Sequence, residues 1–334
     1  MQERRPVRLG SQSSPFEYSV NETGARLRLL LDNAVRKNLA ESVLLSGGLD
    51  TSIVAATSYR YARLTGITVS LKEAPDLKFA RMIAERFVSR HVIVHIDESD
   101  VERAIPDVVR VMRTFDPMEV RNDIPILVGL RAAKEAGFES VMTGDGGDEL
   151  FAGYSFLFNK NIADLEKSLA NMWKIMRFSS IPLAKSLGMH AVLPFLDEEF
   201  KAFAMRIPAG LKVRKERGQV YGKWILRKAF EELLPEDITW RVKMPIEQGS
   251  GTSSLPGYYD SKIPDEEFEA RKKACELSDG VRITSKEHLA YYQVYRKMLE
   301  IPRGVGKGTK ACLGCGARLE ENANYCRTCG AYPV

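Results

Sequence analysis

Apolar positions in the first half of the chain follow two alternating spacings. Short continuous apolar runs occupy residues 42–45, 66–71, 91–96 and 140–143, and the segments between them place apolar residues at helical intervals. Continuous runs of this length favour buried strands, whereas a period near 3.6 favours amphipathic helices. Strand and helix in alternation predict an α/β fold with a parallel sheet, which we expect to have five strands and helices on both faces.

The same pattern divides the chain into four regions. Residues 1–20 lack a strong pattern and are predicted to form a flexible arm, and residues 21–300 are predicted to form one large domain. After Tyr154 the spacing is mostly helical, with helices predicted over residues 164–176, 197–205, 221–234, 266–276 and 286–300. The sequence Thr-Ser-Lys-Glu at 284–287 matches a capping box. Residues 301–311, rich in Gly and Lys, predict a linker before a cysteine-rich module at 312–334.

The totals narrow the classes of protein. The 334 residues carry a net charge of +5 and 44% apolar residues, a composition typical of a globular chain. No apolar run is long enough to predict a membrane-spanning helix, and the start of the chain lacks the apolar run of a signal peptide, so we expect a cytoplasmic protein. The mild positive charge favours anionic ligands such as nucleotides and leaves nucleic acid possible.

The first candidate site is Ser-Gly-Gly-Leu-Asp-Thr-Ser at residues 46–52, between a predicted strand and a predicted helix. Two glycines let the backbone approach an anion closely, and a helix N-terminus offers free N–H groups. These features predict a pyrophosphate cradle, with a plain turn and polar helix cap as the alternative. An aspartate beside phosphates suits Mg²⁺. The candidate cofactor-binding residues are Ser46, Gly47, Gly48, Asp50, Thr51 and Ser52.

The second candidate site is Thr-Gly-Asp-Gly-Gly-Asp-Glu-Leu-Phe-Ala-Gly-Tyr at residues 143–154. Its acidic residues, Asp145, Asp148 and Glu149, follow a predicted strand and would repel one another unless a cation were bound. Because the loops after neighbouring parallel strands meet at one edge of the sheet, we expect Asp50 and Asp148 to clamp Mg²⁺ between them. A solvated acidic loop is the alternative.

The cysteines indicate a metal site. Four of the five fall in the last 23 residues, as two C-x-x-C pairs that are each followed by glycine. Four thiolates in this spacing predict a structural Zn²⁺ in a zinc ribbon, because so short a module cannot bury a core of its own. A redox pair is the alternative. The predicted ligands are Cys312, Cys315, Cys326 and Cys329, and the fifth cysteine, Cys275, is predicted to be a packing residue.

Both loop motifs resemble those of the asparagine synthetase family of ATP-pyrophosphatases. Residues 46–50 are similar to the family's pyrophosphatase loop, and residues 143–154 are similar to its signature nearly letter for letter. The resemblance continues, in the family's order, through residues 75–78, 120–121, 194–197, 225–227 and 240–243. It implies an adenine-nucleotide α-hydrolase-like sheet, ATP and Mg²⁺ as cofactors, and a ligase that forms an acyl-adenylate with release of AMP and pyrophosphate.

The resemblance also implies roles for single residues. Arg121 and Lys243 would contact pyrophosphate or the transition state, with Asp145 as a further catalytic residue. Leu44, Leu45 and Val69 would line the adenine slot, and Gly144 and Asp148 would face the nucleotide. Lys223 is a weaker candidate, and Asp76 has either a nucleotide-side role or a plain capping role.

Two departures from the family concern the remaining substrates. Glutamine-hydrolysing members begin with a glutaminase whose nucleophile is the cysteine after the initiator methionine, and here Gln2 follows Met1. We therefore expect nitrogen from free ammonia, from a separate glutaminase subunit or from the substrate itself. The family's Glu-x-Arg before Pro194 is also missing, since His190 and Val192 stand there. The acceptor, aspartate or another small carboxylate, is thus left open.

Two other functions remain alternatives at this stage. A tRNA-modifying enzyme of the adenylating or thiolating kind also combines a pyrophosphatase loop with zinc ribbons, although no cysteine lies near the two loops to carry sulfur. A nucleotide-binding scaffold without catalysis, with the ribbon as a docking module, would need neither Arg121 nor Lys243.

Overall fold

The computed structural model describes residues 15–72, 74–304, 310–321 and 323–334. Its centre is a parallel sheet of five strands in the order β3-β2-β1-β4-β5, so the predicted fold class is confirmed. The strands are β1 (Ser42–Leu44), β2 (Thr65–Leu71), β3 (Arg90–Ile96), β4 (Ser140–Met142) and β5 (His190–Val192). The first four match the apolar runs in the sequence, and the fifth is one that the pattern did not locate.

Helices cover both faces of the sheet, and most of the predicted helices are present with shifted ends. They are α1 (Pro15–Lys37), α2 (Leu49–Ser58), α3 (Leu77–Phe87), α4 (Glu98–Met112), α5 (Pro117–Glu135), α6 (Gly147–Phe151), α7 (Ile162–Ile175), α8 (Ser180–Ser186), α9 (Glu198–Arg206), α10 (Ala209–Lys212), α11 (Trp224–Phe230), α12 (Glu236–Thr239), α13 (Ile246–Ser250), α14 (Leu255–Lys262), α15 (Asp265–Asp279) and α16 (Lys286–Met298). A small antiparallel hairpin joins β6 (Arg214–Glu216) to β7 (Gln219–Tyr221).

The two ends of the predicted domain scheme differ in how much of them is described. Helix α1 begins at Pro15, inside the stretch predicted as a flexible arm, and the rest of that arm, residues 1–14, lies outside the described residues. The middle of the predicted linker, residues 305–309, also lies outside them. Within the described part of the chain, no helix has both the length and the apolar character needed to cross a membrane.

The strand order creates a switch point beside β1. From β1 the chain runs outward through β2 and β3, and it then returns to place β4 on the other side of β1. The loops that leave β1 and β4 therefore diverge and open a crevice at the carboxyl edge of the sheet, which is where ligands bind in open α/β sheets. Both sequence motifs lie in these two loops.

Helix α5 packs closely against the sheet under this crevice. A Cβ on Gly129 would come 2.8 Å from Leu44 Cδ2, so glycine is what allows the close approach. Pro125 interrupts the helix one turn earlier, and because proline has no N–H, the carbonyl of Arg121 loses its helical donor. The Thr252 hydroxyl donates to that carbonyl at 3.0 Å, so the gap in the helix is closed by a side chain from another segment.

The cysteine-rich module packs against the large domain at the N-terminus of α5. The Phe115 amide donates to the Thr328 carbonyl at 2.8 Å, and the Thr114 hydroxyl donates to the Arg327 carbonyl at 2.7 Å. The Tyr325 hydroxyl donates a hydrogen bond to the Asp116 carboxylate. We call residues 310–321 and 323–334 the ribbon. These contacts pack the ribbon against the large domain at residues 114–116.

The four ribbon cysteines form one cluster. Their sulfur atoms all lie within 4.8 Å of one another, and the pairs Cys312–Cys329 and Cys315–Cys326 are each 3.7 Å apart. A tetrahedral Zn²⁺ with bonds of about 2.3 Å holds its sulfur ligands about 3.8 Å apart. The cluster therefore fits a zinc ribbon, as predicted.

A buried aromatic group joins the ribbon, α5 and α16. Phe115 stacks on His288 with ring centres 5.2 Å apart, and it contacts Tyr292 and Tyr295 at 4.9 and 5.0 Å. His288 is 2% exposed, and the Thr284 amide donates to its Nδ1 at 3.2 Å, which is the contact of a neutral ring. Burial lowers the pKa of His288 to about 4.

Loss of the metal should destabilise the whole chain. We expect about one Zn²⁺ per chain, and we expect Cys329→Ser to abolish it and to lower the midpoint of a single thermal unfolding transition by more than about 5 °C, because the ribbon shares a core with α5 and α16. Zinc content and differential scanning calorimetry measure both effects. Cys275→Ser is the control and should change neither. A separate early transition that leaves the main one in place would contradict this expectation.

His288 should make stability depend on pH in a defined window. Its pKa is about 4 in the folded chain and about 6.5 when unfolded, so the unfolded state binds the additional proton between these values. The contribution of the neutral His288 ring to the free energy of unfolding is fully present above pH 6.5. The free energy of unfolding should fall by up to about 3 kcal/mol as the pH drops to 4. Urea unfolding at both pH values measures this fall. His288→Gln should show a smaller fall, and an equal fall in both proteins would reject the assignment.

Candidate active site

The loop after β1 forms a tight turn that opens α2. Gly47 has a φ of +72°, and a Cβ there would overlap the backbone of Ala80 at the start of α3. The Ser46 and Thr51 hydroxyls lie 3.1 Å apart, and the Ser52 hydroxyl donates to the Gly48 carbonyl at 2.7 Å. Hydrogen bonds within the turn thus hold its shape, and the residues at the start of α2 line the cavity described below.

The glycines of the second motif are explained by the aspartates that pack against them. A Cβ on Gly147 would overlap the Asp50 carboxylate, and one on Gly144 would lie 2.8 Å from Asp50 Cβ. A Cβ on Gly153 would overlap the Asp148 carboxylate. The spacing of glycines in this motif therefore creates room for two acidic side chains directly against the backbone.

Asp50 and Asp148 converge on one ammonium group. Lys223 Nζ lies 2.5 Å from Asp50 Oδ2 and 2.7 Å from Asp148 Oδ1. Lys243 Nζ lies 2.7 Å from the same oxygen of Asp148 and rests over the Tyr154 ring at 4.6 Å. The two motifs, almost a hundred residues apart in the chain, thus form one charged centre.

The charges in this centre are held by burial and by mutual pairing. Burial raises the pKa of Asp148, but Lys223 and Lys243 outweigh it and hold that pKa at about 2. Burial also raises the pKa of Asp50, and Lys223 reduces this rise without cancelling it. Lys223 itself is 3% exposed, and the two carboxylates raise its pKa although burial would lower it. Lys223 and Asp148 are therefore both charged over the whole neutral range.

The donor set fits a small divalent cation. Asp50 Oδ1 is buried and finds no hydrogen-bond partner within the described residues, while the other oxygen of Asp50 shares Lys223 Nζ with Asp148. Mg²⁺ prefers one or two carboxylates that leave places for water and phosphate oxygens. The orphaned oxygen of Asp50 is therefore a suitable ligand atom.

A cavity of about 210 Å³ lies over this centre, between the sheet edge and α5. One end is apolar, with Leu44, Val69 and Ile126 among its walls, and the other end is charged. Thirteen of the sixteen non-ribbon candidates line it, counting Asp76. These are Leu44, Leu45, Ser46, Gly48, Asp50, Thr51, Val69, Gly144, Asp145, Asp148 and Lys243, together with the weaker candidates Lys223 and Asp76.

Three predicted residues do not line the cavity. Gly47 and Ser52 lie behind the turn and shape it from there. Arg121 lies further away on α5, where its Nη1 is 2.5 Å from Glu287 Oε2 in a buried ion pair. Glu287 had been predicted to cap α16, but Ser285 is the cap, and its side chain accepts from the His288 amide. The predicted contact of Arg121 with pyrophosphate therefore stays a prediction.

Several functional contacts were missed or underrated in the sequence. Arg241 donates to the Gly47 carbonyl at 3.2 Å and forms an ion pair with Asp76. Asp76 lines the cavity, and its side chain makes no capping hydrogen bond to α3. Arg227 donates to the carbonyls of Gly222 and Thr239. The available signal was the pair of basic residues in Trp-Arg-Val-Lys at 240–243, of which only Lys243 is assigned a role from the sequence.

A parallel five-stranded sheet with a glycine loop and an acidic loop at its switch point defines an α/β protein of the pyrophosphatase-loop, adenine-nucleotide α-hydrolase-like class. Comparison of the sequence with known families is more specific. The family described as "Asparagine synthase" matches residues 26–185 and 182–303. The chain belongs to the asparagine synthase family.

Curated relatives agree with this assignment. The chain is 32% identical over 289 residues to "Probable asparagine synthetase [glutamine-hydrolyzing]" of Dictyostelium discoideum, covering 77% of this chain and 51% of the relative. It is 30% identical over 304 residues to "Asparagine synthetase B [glutamine-hydrolyzing]" of Escherichia coli (strain K12), covering 83% and 54%. The chain thus corresponds to about half the length of these relatives.

One solved structure is also similar. The structure titled "Structure of NMN synthetase from Francisella tularensis" covers 86% of this chain and 98% of its own, with 14% sequence identity. The TM-score of this match is 0.39.

Lys223 should be the residue on which the charged centre depends. We expect Lys223→Met to lower the free energy of unfolding by about 3 kcal/mol, since it leaves two largely buried carboxylates without their shared cation. Urea unfolding at pH 7 measures the loss, and adding Asp50→Asn should restore part of it. Lys228→Met, on the helix that follows Lys223, removes a partly exposed pair with Glu231 and a contact at 5.8 Å with the Trp240 ring, and should cost about 1 kcal/mol. Equal losses in the two variants would contradict the expectation.

Proposed function

We propose that the protein is an ATP-dependent amidating ligase that activates a carboxylate as its adenylate. The observation that carries the proposal is the convergence of Asp50, Asp148, Lys223 and Lys243 beside a glycine turn at the switch point of the sheet. Membership of the asparagine synthase family supports it. Such a centre suits a nucleotide and a metal ion, because the lysines can bind phosphate oxygens and the two carboxylates can bind Mg²⁺.

ATP fits the cavity in one orientation. The adenine ring takes the apolar end, against Leu44, Leu45 and Val69, and the phosphates take the charged end. There the N–H groups that begin α2 and the hydroxyls of Ser46 and Thr51 face them. Lys223, Lys243 and Arg241 supply the positive charge for the phosphate oxygens.

Asp50 and Asp148 would hold Mg²⁺, which supplies charge for the departing pyrophosphate when bound. With the phosphates present, the lysines exchange carboxylate partners for phosphate oxygens. After this exchange every charged side chain keeps a partner of opposite charge, because Mg²⁺ takes the place of the lysines beside Asp50 and Asp148. Lys243, with a side chain that is 31% exposed, is the more accessible of the two.

The chemistry takes place in two steps. An oxygen of the substrate carboxylate attacks the α-phosphorus of ATP, the bond to the bridging oxygen breaks, and pyrophosphate leaves. An amine nitrogen then attacks the acyl carbon, and AMP leaves as the amide forms. Asp145 also lines the cavity. Burial raises the pKa of Asp145, which suits a group that accepts the proton of the attacking amine.

The remaining substrates are proposed more broadly. The carboxylate is aspartate or an analogue, and the nitrogen is ammonia or an amine, supplied free or by a partner such as a glutaminase. His190 lies on β5 and does not line the cavity, although the missing Glu-x-Arg had drawn attention to it. Arg121 takes part only if its pair with Glu287 opens. No contact of the described residues favours tRNA, and the paired acidic and basic groups argue against an inert scaffold.

Exchange of labelled pyrophosphate into ATP tests adenylation directly. With Mg²⁺ and aspartate, or another small carboxylate, we expect exchange that falls by about 100-fold in Asp148→Asn and in Lys243→Met, because each change removes charge that stabilises the departing pyrophosphate. Asp107→Asn, on α4 and outside the cavity lining, removes the same charge from pairs with Arg110 and Arg131 and should leave exchange unchanged. Absence of exchange with every amino acid in a panel, at saturating Mg²⁺, would reject adenylation.

A further inference from the structure

The two lysines of the charged centre are held in different ways. Lys223 lies between two carboxylates, and only 4% of its side chain is exposed. Lys243 contacts the Asp148 carboxylate at 2.7 Å, and 31% of its side chain is exposed. Its Nζ also lies 4.6 Å from the centre of the Tyr154 ring. Of these two contacts of Lys243, the ring is the one that remains when Mg²⁺ takes the place of the lysine beside Asp148.

The ring of Tyr154 is held firmly in place. Its hydroxyl donates to Glu149 Oε1 at 2.6 Å, and the Trp173 indole N–H donates to the Glu149 carbonyl at 2.9 Å. The Phe156 ring stacks on it, with ring centres 5.6 Å apart and an angle of 17° between the planes. Stacked aromatic pairs of this kind are mutually stabilising. The Tyr154 ring is therefore a fixed surface, against which a neighbouring side chain can move.

The backbone on either side of Lys243 is anchored as well. Arg241 forms an ion pair with Asp76. On the other side, the Glu247 amide donates to Asn122 Oδ1 at 3.2 Å. Lys243 itself lies between α12 and α13 and belongs to neither helix. Because the chain is tied at both flanks, the change of partner that the reaction requires is a rotation of the lysine side chain.

A neutral ring suits a cation that has to change partners. The ring attracts an ammonium group through its quadrupole and carries no net charge, so it does not repel a phosphate as a further carboxylate would. The attraction extends to about 6 Å from the ring centre, and Nζ of Lys243 lies at 4.6 Å. The ammonium group can therefore leave Asp148 and still be attracted by the Tyr154 ring.

We propose that Tyr154 is a positioning residue for the ligase reaction, and that its ring guides the ammonium group of Lys243 from Asp148 to the departing pyrophosphate. Lys243 lines the cavity, and Tyr154 acts only through it. Glu149 and Phe156 contribute by holding the ring. The inference rests on the proposed function for the identity of the leaving group, whereas the coupling of ring and lysine can be measured by binding alone.

A double-mutant cycle with Tyr154→Leu and Lys243→Met tests this role. In pyrophosphate exchange, Tyr154→Leu should lower the maximal rate about tenfold and change KM for ATP less than about twofold, because the lysine acts on charge that develops as pyrophosphate leaves. In the Lys243→Met background, Tyr154→Leu should have no further effect, since no ammonium group is left to guide. Tyr154→Phe keeps the ring and should retain about half of the rate or more.

Tyr59→Leu is the matched control. Arg63 lies over the Tyr59 ring at 5.4 Å, and Tyr59 is the C-cap of α2, whereas the cavity lies at the other end of that helix. This variant should leave exchange unchanged. Circular dichroism and zinc content confirm that each variant is folded. If Tyr154→Leu does not fold, Phe156→Ala replaces it in the cycle, because Phe156 is exposed, and a loss of about threefold is then expected.

Calorimetric binding of inorganic pyrophosphate with Mg²⁺ repeats the cycle without catalysis. Tyr154→Leu should weaken this binding about fivefold, and it should have no further effect in the Lys243→Met background. An equal loss with and without Lys243, in exchange or in binding, overturns the proposal, because the ring would then act through the fold. Unchanged exchange and binding in Tyr154→Leu overturn it as well. Coupled loss of pyrophosphate binding in a chain that exchanges with no carboxylate would support the role of Tyr154 and reject adenylation.

Discussion

The ammonium group of Lys223 is the contact on which the rest of the site depends. It lies between two carboxylates that come from different loops, and without a shared cation these carboxylates would repel each other at the switch point of the sheet. The strained backbone of Lys223, with a φ of +56°, places the side chain there, and its amide is fixed by the Phe151 carbonyl at 2.8 Å. The helical region after the sheet thus reaches the charged centre through Lys223, and Lys243 adds a second contact to Asp148.

How far the sequence predicts this structure depends on how local each signal is. The glycine turn at residues 46–52 and the cysteine cluster are encoded within short stretches, so their geometry follows from spacing alone. Strand β5 is only three residues long and is not fully buried, so it lacks the apolar run that marks the others. The cap of α16 was placed one residue early, because Thr284 and Ser285 are equally suitable from their chemistry.

Contacts between distant residues could not be predicted in the same way. Lys223 reaches Asp50 across 173 positions, Arg241 reaches Asp76 across 165, and Arg121 reaches Glu287 across 166. Each of these residues looks like an ordinary surface charge when read alone. The family resemblance gave weight to Lys243 but not to its neighbour Arg241, since a motif shows which letters recur and does not show which side chain turns inward.

Helix α5 connects almost everything that has been described, and its proline divides it. The turn before Pro125 receives the ribbon, whereas the turns after it lie against the sheet at Leu44. Across the break, the Thr252 hydroxyl replaces the missing backbone bond to the Arg121 carbonyl. The helix is therefore two segments in one: the first contacts the ribbon, the second contacts the sheet, and a single side-chain hydroxyl from a neighbouring segment closes the gap between them.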